Sequence, residues 1–347
     1  MHARLHRPPQ GPFAGMAKAV ARVMAMVAAT VLAGPAAAAQ PASEAKAKRT
    51  PAACAGPALT FERLAPGLWW VPGEAAAADA QNRGHVSHLL IGLSGTRIWA
   101  IGSGPSAAFG ERLDCQVRQR FGRAITDVVS PWPHPELVLG QRGLPAARSW
   151  AHADVARSMA QRCVSCVERL RQRLGDAAAD LGPDPIRIPD RLLQGRAGRL
   201  GPWQWWRLER GPETPVTVWA WRGAPVVFAP GLIWGSGAPD GQDARAQDLE
   251  RASLALARRV QRPPGPPLRW LGEQGPLADS RAPQRHARYW AALHAEAVAS
   301  VQRGDDASAP SPKLAGLESQ SQGLLHELNW QRTWRQAEED SFQRSRR

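Results

Sequence analysis

The sequence predicts an α/β fold of the α+β kind, a four-layer αββα sandwich with extra C-terminal helices. Three observations predict it. Two strand-rich stretches, residues 67–101 and 201–229, are each followed by a helix and a closing strand. Turn chemistry separates the strands, as at Ser94-Gly95, where a tight hairpin fits. Beyond Pro276 the strand pattern stops and apolar residues recur at spacings of three and four.

Residues 1–39 read as a secretory signal rather than as fold. Arg4, Arg7, Lys18 and Arg22 precede an apolar run, Met24 to Ala33, and Ala37-Ala38-Ala39 supply the small residues of a cleavage site. An uncleaved signal anchor is the alternative and the only route to a membrane. The mature chain is thus expected to be exported, periplasmic or secreted. Residues 40–58, rich in Ala, Pro and Lys, read as a linker.

From residue 59 the elements follow in order. Gly67 to Val71 is a strand ended by Pro72-Gly73, and Val86 to Leu93 and Thr96 to Ile101 are a hairpin. Gly102-Ser103-Gly104-Pro105 opens a helix to about Phe121. Ile125 to Val129 returns as a strand into a loop with three prolines, Val129 to Gly140, which hold it open at the strand's C-terminal end, where α/β folds bind ligands. A short strand at 149–151, a helix over 153–174 and a strand at 186–188 come next. Strands at 204–208, 216–221 and 225–228, a loop over 231–241, a helix over 242–260, a break at Pro263-Pro264-Gly265-Pro266 and a strand at 268–271 complete a domain spanning 59–276. Residues 277–347 form a helical extension: a helix from Pro283 to Arg303 capped by Gly304, a flexible linker near 304–323, and a helix from Leu324 to Phe342.

Charge and cysteines narrow the partners. Removing the signal leaves 40 basic against 30 acidic residues, a net charge of +10. No basic block with interleaved aromatics follows a helix face, so nucleic acid is not the expected partner. The even cysteine count in an oxidising compartment points to disulfides. Cys163 and Cys166 lie mid-helix, away from the N-terminus that would activate a thiol, and read as a local bridge, with Cys54 to Cys115 as a second. Of the 15 tryptophans most are expected in the core; Trp132 and Trp234, beside the loops at strand ends, are candidates for a ligand pocket.

Residues 64–276 resemble the metallo-β-lactamase-fold hydrolases, nearest the exported zinc metallohydrolases of the quinoprotein relay system. Leu64-Ala65-Pro66-Gly67-Leu68-Trp69 resembles the family's opening strand, Asn82-Arg83-Gly84 the turn before its second, and Ile101-Gly102-Ser103-Gly104 occupies the place of its Asp-Thr-Gly turn. The family's zinc motif, His-x-His-x-Asp-His, falls on Trp132, His134, Glu136 and Leu137 when Gly140 sets the register. The later ligands fall on Gly211, Gly231 and Glu273, so only His134 keeps its residue type. Zinc hydrolysis needs three or four fixed N, S or O donors and an open position for water. Gly and Leu have no donor side chain, and an indole N–H cannot ligate a cation.

The resemblance therefore implies a zinc-free pseudoenzyme, with no cofactor, that binds a small ligand or a periplasmic protein. The alternative is a metal-dependent ester, thioester or lactam hydrolase with a rebuilt single-metal site at His134, Glu136 and Glu273. Redox chemistry at Cys163 and Cys166 is a third reading, disfavoured by their mid-helix position.

Overall fold

The computed structural model describes residues 53–260, 266–306 and 308–346. The signal segment, residues 40–52 of the linker and residues 263–265 of the expected break lie outside the described residues. In chain order the strands of the first half are β1 (Glu62–Ala65), β2 (Leu68–Val71), β3 (Leu89–Ser94) and β4 (Arg97–Ile101), followed by α1 (Ala107–Phe121), β5 (Asp127–Ser130) and the single-turn α2 (Pro135–Val138). Then come β6 (Arg148–His152), α3 (Ala153–Leu174), β7 (Arg191–Leu193), β8 (Ala197–Leu200), β9 (Trp203–Glu209), β10 (Pro215–Trp221) and β11 (Val226–Phe228). The chain ends with α4 (Ala246–Arg259), β12 (Arg269–Leu271), α5 (Ala282–Arg303) and α6 (Leu324–Ser345).

The strands form two sheets, β1-β2-β3-β4-β5-β6-β7 and β12-β11-β10-β9-β8. The first is antiparallel up to β4 and parallel from β4 to β7. The sheets meet through tryptophan: a Cβ on Gly92 of β3 would lie 2.5 Å from the Trp221 ring and 2.7 Å from that of Trp203. That close approach is why β3 carries a glycine in mid-strand. Trp99, Trp203, Trp219 and Trp270 are fully buried, as expected for most of the tryptophans.

Strand boundaries differ from the sequence reading where polar side chains intervene. The strand expected at 86–93 starts at Leu89, because Ser87 and His88 are engaged in loop contacts with Glu273, Gly73 and Gly275. Residues 186–188 are not a strand. Arg187 there donates to the carbonyls of Leu144 at 2.8 Å and Ala147 at 3.0 Å, and the pairing falls to β7. The edge strands β1 and β8 have no apolar alternation to announce them.

One of the two expected disulfides is formed. Cys54 and Cys115 are bonded, and Gln116 binds Leu59 N–H and Pro57 C=O, so the end of the expected linker, residues 54–58, is fastened to α1. Cys163 and Cys166 are free thiols, contrary to the bridge expected between them. Cβ atoms three residues apart on a helix are about 5–6 Å apart. A disulfide needs about 3.5–4.5 Å. Cys163 is buried in the core and Cys166 is only half-buried.

The C-terminal helices build a second core with α4, from Leu249, Tyr289, Trp290, Leu293, Trp330 and Trp334 among others. Leu314 and Leu317, in the segment expected as a linker, are buried in it. Among the described residues no helix is long and apolar enough to cross a membrane.

Candidate functional site

The proline-rich loop after β5 is fixed by backbone contacts that need glycine. Gly140 N–H donates to Gly104 C=O at 2.8 Å, and Ser103 N–H to Leu137 C=O at 2.7 Å. A Cβ on Gly140 would lie 1.9 Å from Ser103 O, and one on Gly102 would lie 2.6 Å from Leu137 Cδ1. Gly102 is also left-handed, with φ at 82°. Leu137 thus points into the core, fully buried, where the resembled family has a metal ligand. His134, in extended conformation, sits at the N-cap of α2, with Pro135 in the first turn.

His134, Glu136 and Glu273 lie together in the structure. His134 Nδ1 lies 2.7 Å from Glu273 Oε1, and Nε2 lies 3.3 Å from Glu136 Oε2. Glu273 Oε1 also accepts from Ser87 Oγ at 3.0 Å, and Oε2 accepts from Gly231 N–H at 2.9 Å. Arg173 Nη1 lies 3.4 Å from Glu136 Oε1. Burial by itself would lower the His134 pKa, but the charges of Glu136 and Glu273, the contact with Glu273 and the charge of Asp240 raise it to about 9. For Glu273 burial acts upward, yet His134, Ser87 and Arg210 hold its pKa below the usual carboxylate value.

A second cation underlies the first. The His134 and Trp132 rings are stacked, 4.6 Å between centroids with 9° between planes. The Arg210 guanidinium also lies over the Trp132 ring, 4.6 Å from its centroid. Arg210 is fully buried and donates to three backbone carbonyls: Gly231 at 2.6 Å, Asp240 at 2.7 Å and Gln242 at 3.0 Å. Gly231, with φ at 73°, closes the stack, since a Cβ there would lie 3.1 Å from Trp132 Cε2 and 3.2 Å from Arg210 Cδ. Gly211, aligned with a later family ligand, faces a different depression beside Asp248, and it is its neighbour Arg210 that reaches the site.

Above this centre lies a cleft of about 520 Å³. Trp132, His134, Glu136 and Glu273 contribute to its lining together with Trp234, residues 75–78, Asp240, and Leu324, Leu325, Leu328 and Arg332 of α6. Both tryptophans singled out for a pocket are therefore in it. α6 is latched to the neighbouring loop by Asn329, whose Oδ1 accepts from Gly241 N–H at 3.0 Å and whose Nδ2 donates to Pro239 C=O at 2.6 Å.

No family model and no curated protein matches the chain. Solved structures do match. The mono-zinc form of the metallo-β-lactamase FIM-1 from Pseudomonas aeruginosa aligns with a TM-score of 0.51 at 17% identity, over 67% of this chain and 95% of that one. A metallo-β-lactamase from Pontibacter korlensis aligns with a TM-score of 0.52 at 13% identity, over 67% of this chain and 99% of that one. This chain has the metallo-β-lactamase fold. At such identities the likeness concerns the fold alone.

The residues do not fit zinc. Both ring nitrogens of His134 face carboxylates, Leu137 and Gly231 have no donor side chain, and Gly211 faces elsewhere. Among the described residues no group of three or more His, Cys, Asp or Glu is placed to hold a metal ion. A metal ion binding the imidazole would have to compete with the proton held there at neutral pH. The metallo-β-lactamase scaffold here holds an imidazolium, an indole and a guanidinium in one stack. Sequence reasoning missed Arg210, Ser87 and Arg173, because one arginine or serine in an Arg-rich chain carries no motif.

Proposed function

We propose that this is an exported metallo-β-lactamase-fold pseudoenzyme, of the quinoprotein relay branch, that uses its cleft to bind a small ligand or a periplasmic partner instead of hydrolysing one. The observation that carries the reading is the ion triad of His134, Glu136 and Glu273 over Trp132 and Arg210. Its polar atoms are turned on one another rather than toward a common vacant point. The Cys54–Cys115 bond supports an oxidising compartment.

Convergence of His134, Glu136 and Glu273 is also what a rebuilt single-metal hydrolase would need, so the test separates the two. Protein purified without chelator is assayed for zinc, iron and manganese by mass spectrometry, and for turnover of ester, thioester and lactam substrates with each metal added. Substoichiometric metal and background turnover are expected. Stoichiometric metal that disappears in His134→Ala would overturn the reading.

A further inference from the structure

The cleft's charges identify the kind of ligand it takes. Each carboxylate in its lining already faces a cation of the chain. Glu136 and Glu273 flank His134, Glu136 also meets Arg173, and Asp240 Oδ1 lies 3.3 Å from Arg332 Nη1. A cationic ligand would have to displace these partners. The Trp132 ring already has two such neighbours, the His134 ring and the Arg210 guanidinium, each 4.6 Å from its centroid.

The cations differ from the carboxylates in one respect: Arg332 and Arg173 meet Asp240 and Glu136 through a single nitrogen each, so both guanidinia keep donors to spare for an anion. The Arg332 and Arg173 guanidinia are partly exposed and line the cleft, and each has five N–H donors. The N-terminal turn of the 22-residue α6 also borders the cleft and has no side-chain cap. On α6 itself, Leu325, Leu328 and Arg332 follow the i, i+3, i+7 spacing of one helix face, and all three line the cleft. That strip is apolar at one end and cationic at the other. Leu325 and Arg332 are seven positions apart on the helix, about 10 Å at the helical rise.

We infer that the cleft binds a monoanionic amphiphile, an acid group with an apolar body about 10 Å long, its head on Arg332 and its body along Leu325 and Leu328. This deepens the binding-protein reading and rests on it.

The test is calorimetric titration of the full-length protein with sodium decanoate, decyltrimethylammonium and 1-decanol, all below micelle formation, with metal content measured on the same sample. Saturable decanoate binding at one site is expected, at least tenfold tighter than the cation. Arg332→Gln should weaken decanoate about tenfold, as loss of one charge-assisted contact does, and leave decanol unchanged. Arg332→Lys should restore part of the loss. Arg173→Gln should weaken decanoate less than Arg332→Gln. Circular dichroism confirms folding of each variant. No decanoate binding, equal binding of the three probes, or decanoate affinity indifferent to Arg332 would overturn the ligand assignment. Any of these in a metal-free sample leaves the pseudoenzyme reading standing, whereas stoichiometric metal that disappears in His134→Ala defeats that reading itself.

Discussion

His134 Nδ1 and Glu273 Oε1 face each other at 2.7 Å across the end of the two sheets, joining the loop after β5 to the turn after β12. Replacing Glu273 by Gln keeps the shape and removes the charge. We expect the His134 pKa to fall from about 9 toward its ordinary value, and stability to drop by about 3–5 kcal/mol, the usual effect of breaking a buried pair. Imidazole NMR titration and urea unfolding check the two parts. An unchanged His134 pKa would contradict the role assigned to Glu273.

The same pair sets a pH dependence. The folded-state pKa of His134 is raised from 6.5 to about 9, so its contribution is fully present below 6.5 and is lost as pH rises through about 9. Glu273, lowered below 4.5, contributes above that value and loses its contribution as pH falls through the folded-state pKa. Stability should therefore decline on both sides of neutrality. Urea unfolding of the wild type and His134→Gln from about pH 6 to about pH 10 should show the alkaline decline in the wild type and a flatter profile in the variant.

Arg210 organises the loop that leads to α4. Its removal leaves the carbonyls of Gly231, Asp240 and Gln242 without their donor. Each buried unpaired group costs about 1–3 kcal/mol. Arg210→Met should therefore destabilise the fold by several kcal/mol and speed amide exchange across residues 231–242. Arg210→Lys should recover little, because an ammonium lacks the planar fork that reaches three acceptors.

The fold was more legible than the site for a physical reason. Strand alternation, the Ser94-Gly95 turn and the Gly304 cap each impose a local pattern, and β3, β4, α1 and α5 lie close to where those patterns place them. His134, Glu136, Glu273 and Gly231, which the family register singles out, lie together in the structure, beside the close contacts of Gly102 and Gly140. Arg210 and Ser87 were invisible because their roles depend on contacts 21 and 186 residues away. Cys163 and Cys166 were misread because spacing along a helix sets proximity but not the closer Cβ approach a bridge requires.

Those thiols give a clean contrast. Burial pushes the Cys163 thiol up to about 12. Cys166 is also raised by burial, but it is half-exposed, with Arg169 Nη2 3.3 Å from its sulfur. A thiol reagent on the native protein should label Cys166 and spare Cys163, with both labelled after denaturation and Cys54 and Cys115 only after reduction. Equal native labelling of the two would mean that α3 opens readily.

Asn329 decides whether the α6 wall stays in place. Its amide binds Gly241 N–H and Pro239 C=O, and Nδ2 also lies 3.2 Å from Tyr289 Oη, so it joins α6, α5 and the loop beside Trp234. Tyr289 Oη in turn lies 3.0 Å from His326 Nδ1, and His326 Nε2 lies 2.9 Å from Pro312 C=O. In Asn329→Ala the two loop groups lose their partner in a buried setting, at about 1–3 kcal/mol each. Leu314 and Leu317 still hold α6 to α5 through the second core, so the loss should be local rather than global. Hydrogen exchange should rise first in residues 238–242 and in the first turns of α6, with the sheets unaffected. Uniform loss of protection through β2–β5 would show instead that the C-terminal helices and the sandwich unfold as one unit.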